Sequence, residues 1–223
     1  MNTNKQHILV IGANGSTGRI ICDQLKVSSE YYPIAMIRDE DQQKRFKEKG
    51  IETVVGDLEK DFENAFDNID RVIFAAGSGG STGPEKTEAV DKDGAKKSVD
   101  FAKKHHVKKF VMLSSMGTGD PEDFKDSQLY PYLVAKQKAD THLMESGLHY
   151  TIVRPGGLTD DKGTGKIEAA PSLGKRGKIS REDVAKTIIY VLGSEVAPNS
   201  YFEIIEGADS IKGAVDEFKK SST

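Results

Sequence analysis

Apolar residues along this chain come in short dense runs, and between the runs lie longer stretches with helical spacing. HILVIG (7–12) is almost free of polar residues, as expected of a strand buried on both faces of a sheet. YPIAMIR (32–38), IETVVGD (51–57), DRVIFAAG (70–77), KKFVMLSS (108–115), HYTIVRPG (149–156) and YFEIIEG (201–207) repeat the pattern, which predicts seven strands. STGRIICDQLKVSS places apolar residues at 20, 21 and 25 and predicts a helix. The polar DEDQQKRFKEK, the short DFENAFDN, a long segment from about 84 to 106, YLVAKQKADTHLMES and REDVAKTIIYVLGS predict further helices, and a last helix ends near Lys220. Seven β-α units imply a parallel sheet with helices on both faces. A closed barrel wants eight units and more residues, so a doubly wound sheet over one domain, residues 1–223, is expected. In that architecture ligands sit just beyond the carboxyl ends of the strands.

Composition narrows the partners. The 36% hydrophobic content suffices for a core, and 30% charged residues with a net charge of −3 leave no basic surface for nucleic acid. KKHHVKK (103–109) and GKRGK (174–178) are too short to change that and read as a helix end and a loop. No stretch approaches ~20 apolar residues, and MNTNKQHILVIG has no leader-like run, so the expectation is a cytoplasmic protein without a membrane span. Cys22 stands alone on an apolar helix face and reads as an inert buried thiol. The five histidines lack carboxylates or cysteines at ligand spacing, and no metal site is expected.

The chemistry starts at VIGANGSTGR (10–19), where glycines 12, 15 and 18 follow a buried strand and open a helix. In that context Gly12 permits a tight turn, Gly15 removes a side chain where a pyrophosphate would approach, and Gly18 lets the helix pack against the strand. The N–H groups of the helix start then hold the phosphates, with Asn14, Ser16 and Thr17 beside them. No Gly-Lys-Ser/Thr follows, which argues against a P-loop nucleotide hydrolase. Arg38, at the end of the second strand, offers a fork suited to a ribose 2′-phosphate, with Arg19 in support. NADP is therefore expected over NAD, although Asp39 and Glu40 follow. Tyr132 and Lys136 form Y-x-x-x-K on one helix face, where the ammonium would lower the tyrosine pKa and ready it for proton exchange.

These motifs, with VVGDL (54–58), FAAG (74–77), VMLSSMG (111–117), YLVAK (132–136), TIVRPGGL (151–158) and ISREDVA (179–185), resemble the short-chain dehydrogenase/reductase superfamily. The likeness is to its extended and atypical branches, including NmrA-like proteins and epimerase-labelled members, and it covers nearly the whole chain. The resemblance implies that Asp57 and Leu58 contact adenine, that Ala75, Ala76 and Gly77 flank its ribose, and that Pro155 flanks the nicotinamide. It implies Tyr132 as acid/base, Lys136 as its tuner and a cofactor contact, and Ser115 as the group orienting the substrate oxygen, with Ser114 as alternative. Where the family often carries a helix asparagine in N-x-x-G, this chain has Asp91, expected to act through Lys136.

The implied activity is hydride transfer between NADP and a small carbonyl or quinone-like compound. The alternatives are an NADP-binding sensor without turnover and a nucleotide-sugar epimerase or dehydratase, the last disfavoured by a small carboxyl-terminal region. Specificity is assigned to 78–90, 117–131 and 157–178, the stretch 159–178 being expected as a loop. The long helix before strand five and the Tyr132 helix are candidates to pair in a homodimer.

Overall fold

The computed structural model describes residues 5–77, 83–193 and 195–218. β1 (Gln6–Ile11), β2 (Tyr31–Ile37), β3 (Glu52–Val55), β4 (Arg71–Phe74), β5 (Lys109–Leu113), β6 (Tyr150–Pro155) and β10 (Ser200–Glu206) are the seven expected strands. They lie parallel in the order β3-β2-β1-β4-β5-β6-β10. The order reverses between β1 and β4, so the ligand crevice of a doubly wound sheet opens there.

The strand count is larger than the sequence suggested. The stretch expected as a loop carries β8 (Lys166–Ala170) and is flanked by β7 (Gly157–Thr159) and β9 (Lys178–Ser180), and β11 (Asp209–Ser210) follows β10. β8 and β11 extend the main sheet in antiparallel fashion to nine strands, and β7 pairs with β9 in a separate ribbon. These strands are two to five residues long, too short for period-two alternation to stand out.

Both faces of the sheet are covered. Along β1, Ile8 and Val10 pack with Ile21 and Leu25 of α1 (Ser16–Lys26) and with Val184 and Ile188 of α6 (Arg181–Val191). The alternate residues Leu9 and Ile11 pack with Val99 of α4 (Ala95–Lys104) and Leu143 of α5 (Tyr130–Glu145). A strand walled by helices on both sides has no polar face, which is why HILVIG is apolar throughout. Each such fully buried aliphatic side chain contributes about 1.5–3 kcal/mol. α2 (Gln43–Glu48) lies over β3, and α7 (Ile211–Asp216) over β8. Cys22 is fully buried and its thiol is pushed up to about 12, first by burial and then by Asp23, so it is inert as expected.

The long helix before β5 is not uniform. Pro84–Lys86 (α3) runs into a π-wound segment, Thr87–Gly94, and then into α4 without a break. Among the described residues, no helix is long and apolar enough to cross a membrane. Residues 78–82 of the first specificity segment, and the end of the last expected helix, lie outside the described residues.

Candidate dinucleotide and catalytic site

The glycine turn closes on itself: Gly15 N donates to Gly12 O at 3.0 Å. Gly12 has φ +82°, and a Cβ there would lie 2.5 Å from Ala76 N. A Cβ on Gly18 would lie 2.1 Å from Gly12 O. These two glycines serve packing between β1, the end of β4 and α1. Gly15 differs, since its Cβ would meet only Gly12 O, at 3.3 Å, and the residue lines the cavities on both sides of the turn. α1 begins without a side-chain cap and without an acid in its first turn, so its N–H groups and the positive end of its dipole are available to an anion.

One cavity, of about 290 Å3, lies beside the ends of β2 and β3. Gly12, Asn14, Gly15, Arg38, Asp57, Leu58, Ala76 and Gly77 are brought together along its wall. The Arg38 side chain is 61% exposed and, among the described residues, pairs with Asp39, 3.3 Å away, in a weak surface pair. The Arg19 guanidinium donates to Asn14 Oδ1 at 2.8 and 3.2 Å, bracing the turn, and does not line either cavity. Lys86 and Glu59, both lining this cavity, form an ion pair that sequence reading missed.

The second cavity, of about 1040 Å3, continues past the turn, sharing Gly15, Ala76 and Gly77 with the first. Ser16, Thr17 and Ala75 line its near side; Ser114, Ser115, Tyr132, Lys136 and Pro155 line the far side. Tyr132 and Lys136 sit one turn apart on α5, with the ammonium 5.9 Å from the phenol ring centroid. Lys136 is buried. It donates to Ala76 O at 3.0 Å and Leu113 O at 3.4 Å, and Asp91 Oδ1 lies 3.2 Å away. Asp91 comes from the π-wound segment, a geometry that recurs at functional sites. It does not line the cavity itself and pairs with Lys136, which does.

Tyr132 is tuned in the direction opposite to expectation. Burial pushes its pKa up; Lys136 pulls it down, Asp91 and Asp140 push it up, and the neighbouring Ser115 hydroxyl pulls it down, leaving it above the ordinary value. Burial works against the Lys136 charge too, but Tyr132, Asp91 and Asp140 outweigh it and hold the pKa above the ordinary lysine value. At neutral pH the site therefore holds a protonated phenol beside an ammonium.

A second buried pair stands behind this one. Arg154 Nε and Nη2 each lie 3.0 Å from Asp140 Oδ2, which also accepts from Ser114 Oγ at 2.9 Å and Thr118 Oγ1 at 3.2 Å. Ser114 Oγ is thereby engaged in the interior and Ser115 Oγ donates to Met116 O at 3.2 Å, and both residues line the cavity. Sequence reading missed both charges, although Arg154 stands inside an apolar strand and Asp140 lies four residues beyond Lys136.

The segment between β7 and β8 is held from α6. Asp183 accepts from Thr164 N at 2.7 Å, Gly165 N at 2.8 Å and Ser180 Oγ at 3.0 Å, and Glu182 accepts from Gly163 N at 2.8 Å. Among the described residues, no group of histidines, cysteines and carboxylates could hold a metal ion.

A glycine turn with a bare helix start, opening on two joined cavities at the switch point, fits a dinucleotide. Residues 12–195 match the NAD(P)H-binding family. The chain belongs to that family. Among NAD(P)H-binding relatives, the "Uncharacterized sugar epimerase YhfK" of Bacillus subtilis is 41% identical over 93% of this chain and 98% of its own. Sanguinarine reductase of Eschscholzia californica is 29% identical over 98% and 95%. A solved structure from Bacillus halodurans, named for NAD-dependent epimerases/dehydratases, superposes with a TM-score of 0.90 at 40% identity, covering 95% of this chain and 99% of the other. The protein is an NAD(P)-binding chain of a family that includes reductases.

Proposed function

We propose that this protein is an NADP-dependent oxidoreductase that reduces a small carbonyl or quinone-like compound, with Tyr132 as the proton donor. The observation that carries the reading is Tyr132 at the wall of the larger cavity, one turn from the buried Lys136 ammonium. A phenol at that wall can give its proton to a substrate oxygen as charge builds there, the role that reduction needs.

Bound beside Pro155, the reduced nicotinamide would supply a hydride to the substrate carbon. Ser115 Oγ donates a hydrogen bond to the substrate oxygen and orients it. Tyr132 Oη releases its proton to that oxygen as negative charge builds there, and Lys136 stabilises the resulting phenolate. Asp91, Ala76 O and Leu113 O hold the ammonium in place. Water in the open cavity returns the proton to Tyr132. Gly15 and the start of α1 would hold the pyrophosphate, and Arg38 the ribose 2′-phosphate that distinguishes NADP.

The test is NADPH oxidation across quinones, aldehydes and ketones, with Tyr132→Phe in parallel and cofactor affinity measured by calorimetry. Loss of turnover by about 10²–10⁴-fold with unchanged NADPH affinity is the expected result. Turnover unchanged in Tyr132→Phe overturns the role of the tyrosine.

The Asp91–Lys136 pair favours one second reading, a sensor without turnover, because a carboxylate replaces the amide that a proton relay would use. Tight NADPH binding with no oxidation across the panel would select it.

A further inference from the structure

Arg181 opens α6, and Ser180 and Asp183 fix the backbone there through a mutual cap. The pairing of β7 with β9 ends at Thr159 opposite Ser180, so Arg181 emerges just past it, level with Asp160. Its side chain is 23% exposed and lines the larger cavity.

Two charged side chains line that cavity among the described residues, Lys136 and Arg181, and no carboxylate does. Lys136 is committed to Asp91 and two carbonyls. Arg181 is not. It gives one hydrogen bond, 2.7 Å from Nη1 to Asp160 Oδ1, out of the five N–H donors that a guanidinium carries. The Asp160 side chain is 86% exposed, so this partner is weakly held and solvent-screened. The same cavity exposes Leu129 and Leu158, apolar groups without partners in the core.

We propose that Arg181 is an anchor for a carboxylate carried by the substrate, and that Asp160 is a built-in competitor displaced on binding. The substrate class is then an apolar carbonyl compound with a carboxylate at one end. A planar guanidinium fork matches a carboxylate bidentately, and Leu129 and Leu158 cover the apolar body. This rests on the reductase reading only for the identity of the reacting carbonyl. The cofactor pyrophosphate is the other source of negative charge in this cavity, but the bare start of α1 already serves it. Arg181 shares its adjoining recess, beyond that start, with Ile20, Gln24, Lys162 and the carboxylates of Asp160, Asp161 and Glu182.

The experiment titrates the NADP-saturated protein with 4-formylbenzoate and with its methyl ester by calorimetry, and follows NADPH oxidation with both. The wild type should bind the acid about tenfold or more tightly than the ester. Arg181→Met should abolish that preference and Arg181→Lys should keep part of it. Asp160→Asn, a change at an exposed residue, should tighten the acid about threefold and leave the ester unchanged.

Equal binding of acid and ester by the wild type overturns the proposal, and so does a preference that survives Arg181→Met. A tenfold loss of NADPH affinity in Arg181→Met with the preference intact assigns the arginine to the pyrophosphate and overturns it too. An Arg181-dependent preference without NADPH oxidation supports the anchor and overturns the reductase. Oxidation with acid and ester treated alike does the reverse.

Discussion

Lys136 Nζ stands 3.2 Å from Asp91 Oδ1, and the two side chains are 2% and 0% exposed. A charge pair this deep is held by its geometry, since each ion alone would suffer the full cost of desolvation. Asp91→Asn should therefore destabilise the protein by about 3–5 kcal/mol, read from urea unfolding. Asp91→Leu combined with Lys136→Met should recover most of that loss, because no charge is left uncompensated. Turnover should stay lost in the double variant. A double variant as unstable as the single one would show that the penalty comes from packing and not from charge.

The three glycines should separate by role. Gly12→Ala places a Cβ against Ala76 at a left-handed backbone position, and Gly18→Ala drives one into Gly12 O. Each should cost about 2–5 kcal/mol of stability from strain and overpacking. Gly15→Ala meets one atom at 3.3 Å and should fold nearly as well as the wild type while losing cofactor affinity. Thermal melts with and without NADPH make the comparison. Equal destabilisation by all three changes would remove Gly15 from the cofactor site.

Arg38 lies at the mouth of the smaller cavity with no strong partner. Arg38→Gln should weaken NADPH by about 10–100-fold, the worth of a charge-assisted hydrogen bond to a phosphate, and leave NADH unchanged. Calorimetric titration with both cofactors reads this directly. Parallel losses for the two would mean that Arg38 does not read the 2′-phosphate.

Lys109 supplies a pH signature far from the chemistry. It is fully buried at the start of β5, paired in register with the buried Arg71 on β4. Lys109 Nζ donates to Val196 O at 3.1 Å, and Arg71 donates to Leu192 O, so both cations serve carbonyls just beyond α6. Burial, then Arg71, pulls the Lys109 pKa down to about 8, with Glu195 opposing. An unfolded lysine titrates near 10.4. Between these values the unfolded chain binds more protons, so stability should rise as pH increases from about 8 to 10.4, by up to about 3 kcal/mol. Lys109→Met should remove this contribution and gain most in relative stability below pH 8. Identical stability–pH slopes for the two proteins over that window would refute the assignment.

Much of this site is written locally. The turn VIGANGSTGR carries its own conformation, since Gly12 needs a left-handed φ and Gly18 needs a missing side chain, whatever surrounds them. Y-x-x-x-K puts Tyr132 and Lys136 on one face of any helix. Arg38 follows β2 by one residue, so strand assignment alone brings it to the ligand edge. What was not local was not legible: Asp91 reaches Lys136 from the π-wound segment, and the partner of Arg154 lies on α5.

From sequence alone came the seven parallel strands, their alternation with helices and the edge of the sheet where ligands bind, because strand and helix periodicities repeat within a few residues. Which charges are buried, and against what, was decided only by the tertiary structure. The pKa of Tyr132 shows the reason. Y-x-x-x-K supplies an ammonium that lowers it, but desolvation and the carboxylates of Asp91 and Asp140 act on it through space, and those were set when the π-wound segment and α5 packed together. Electrostatic energies inside a protein depend on burial and on distances between distant parts of the chain. Periodicity carries neither quantity.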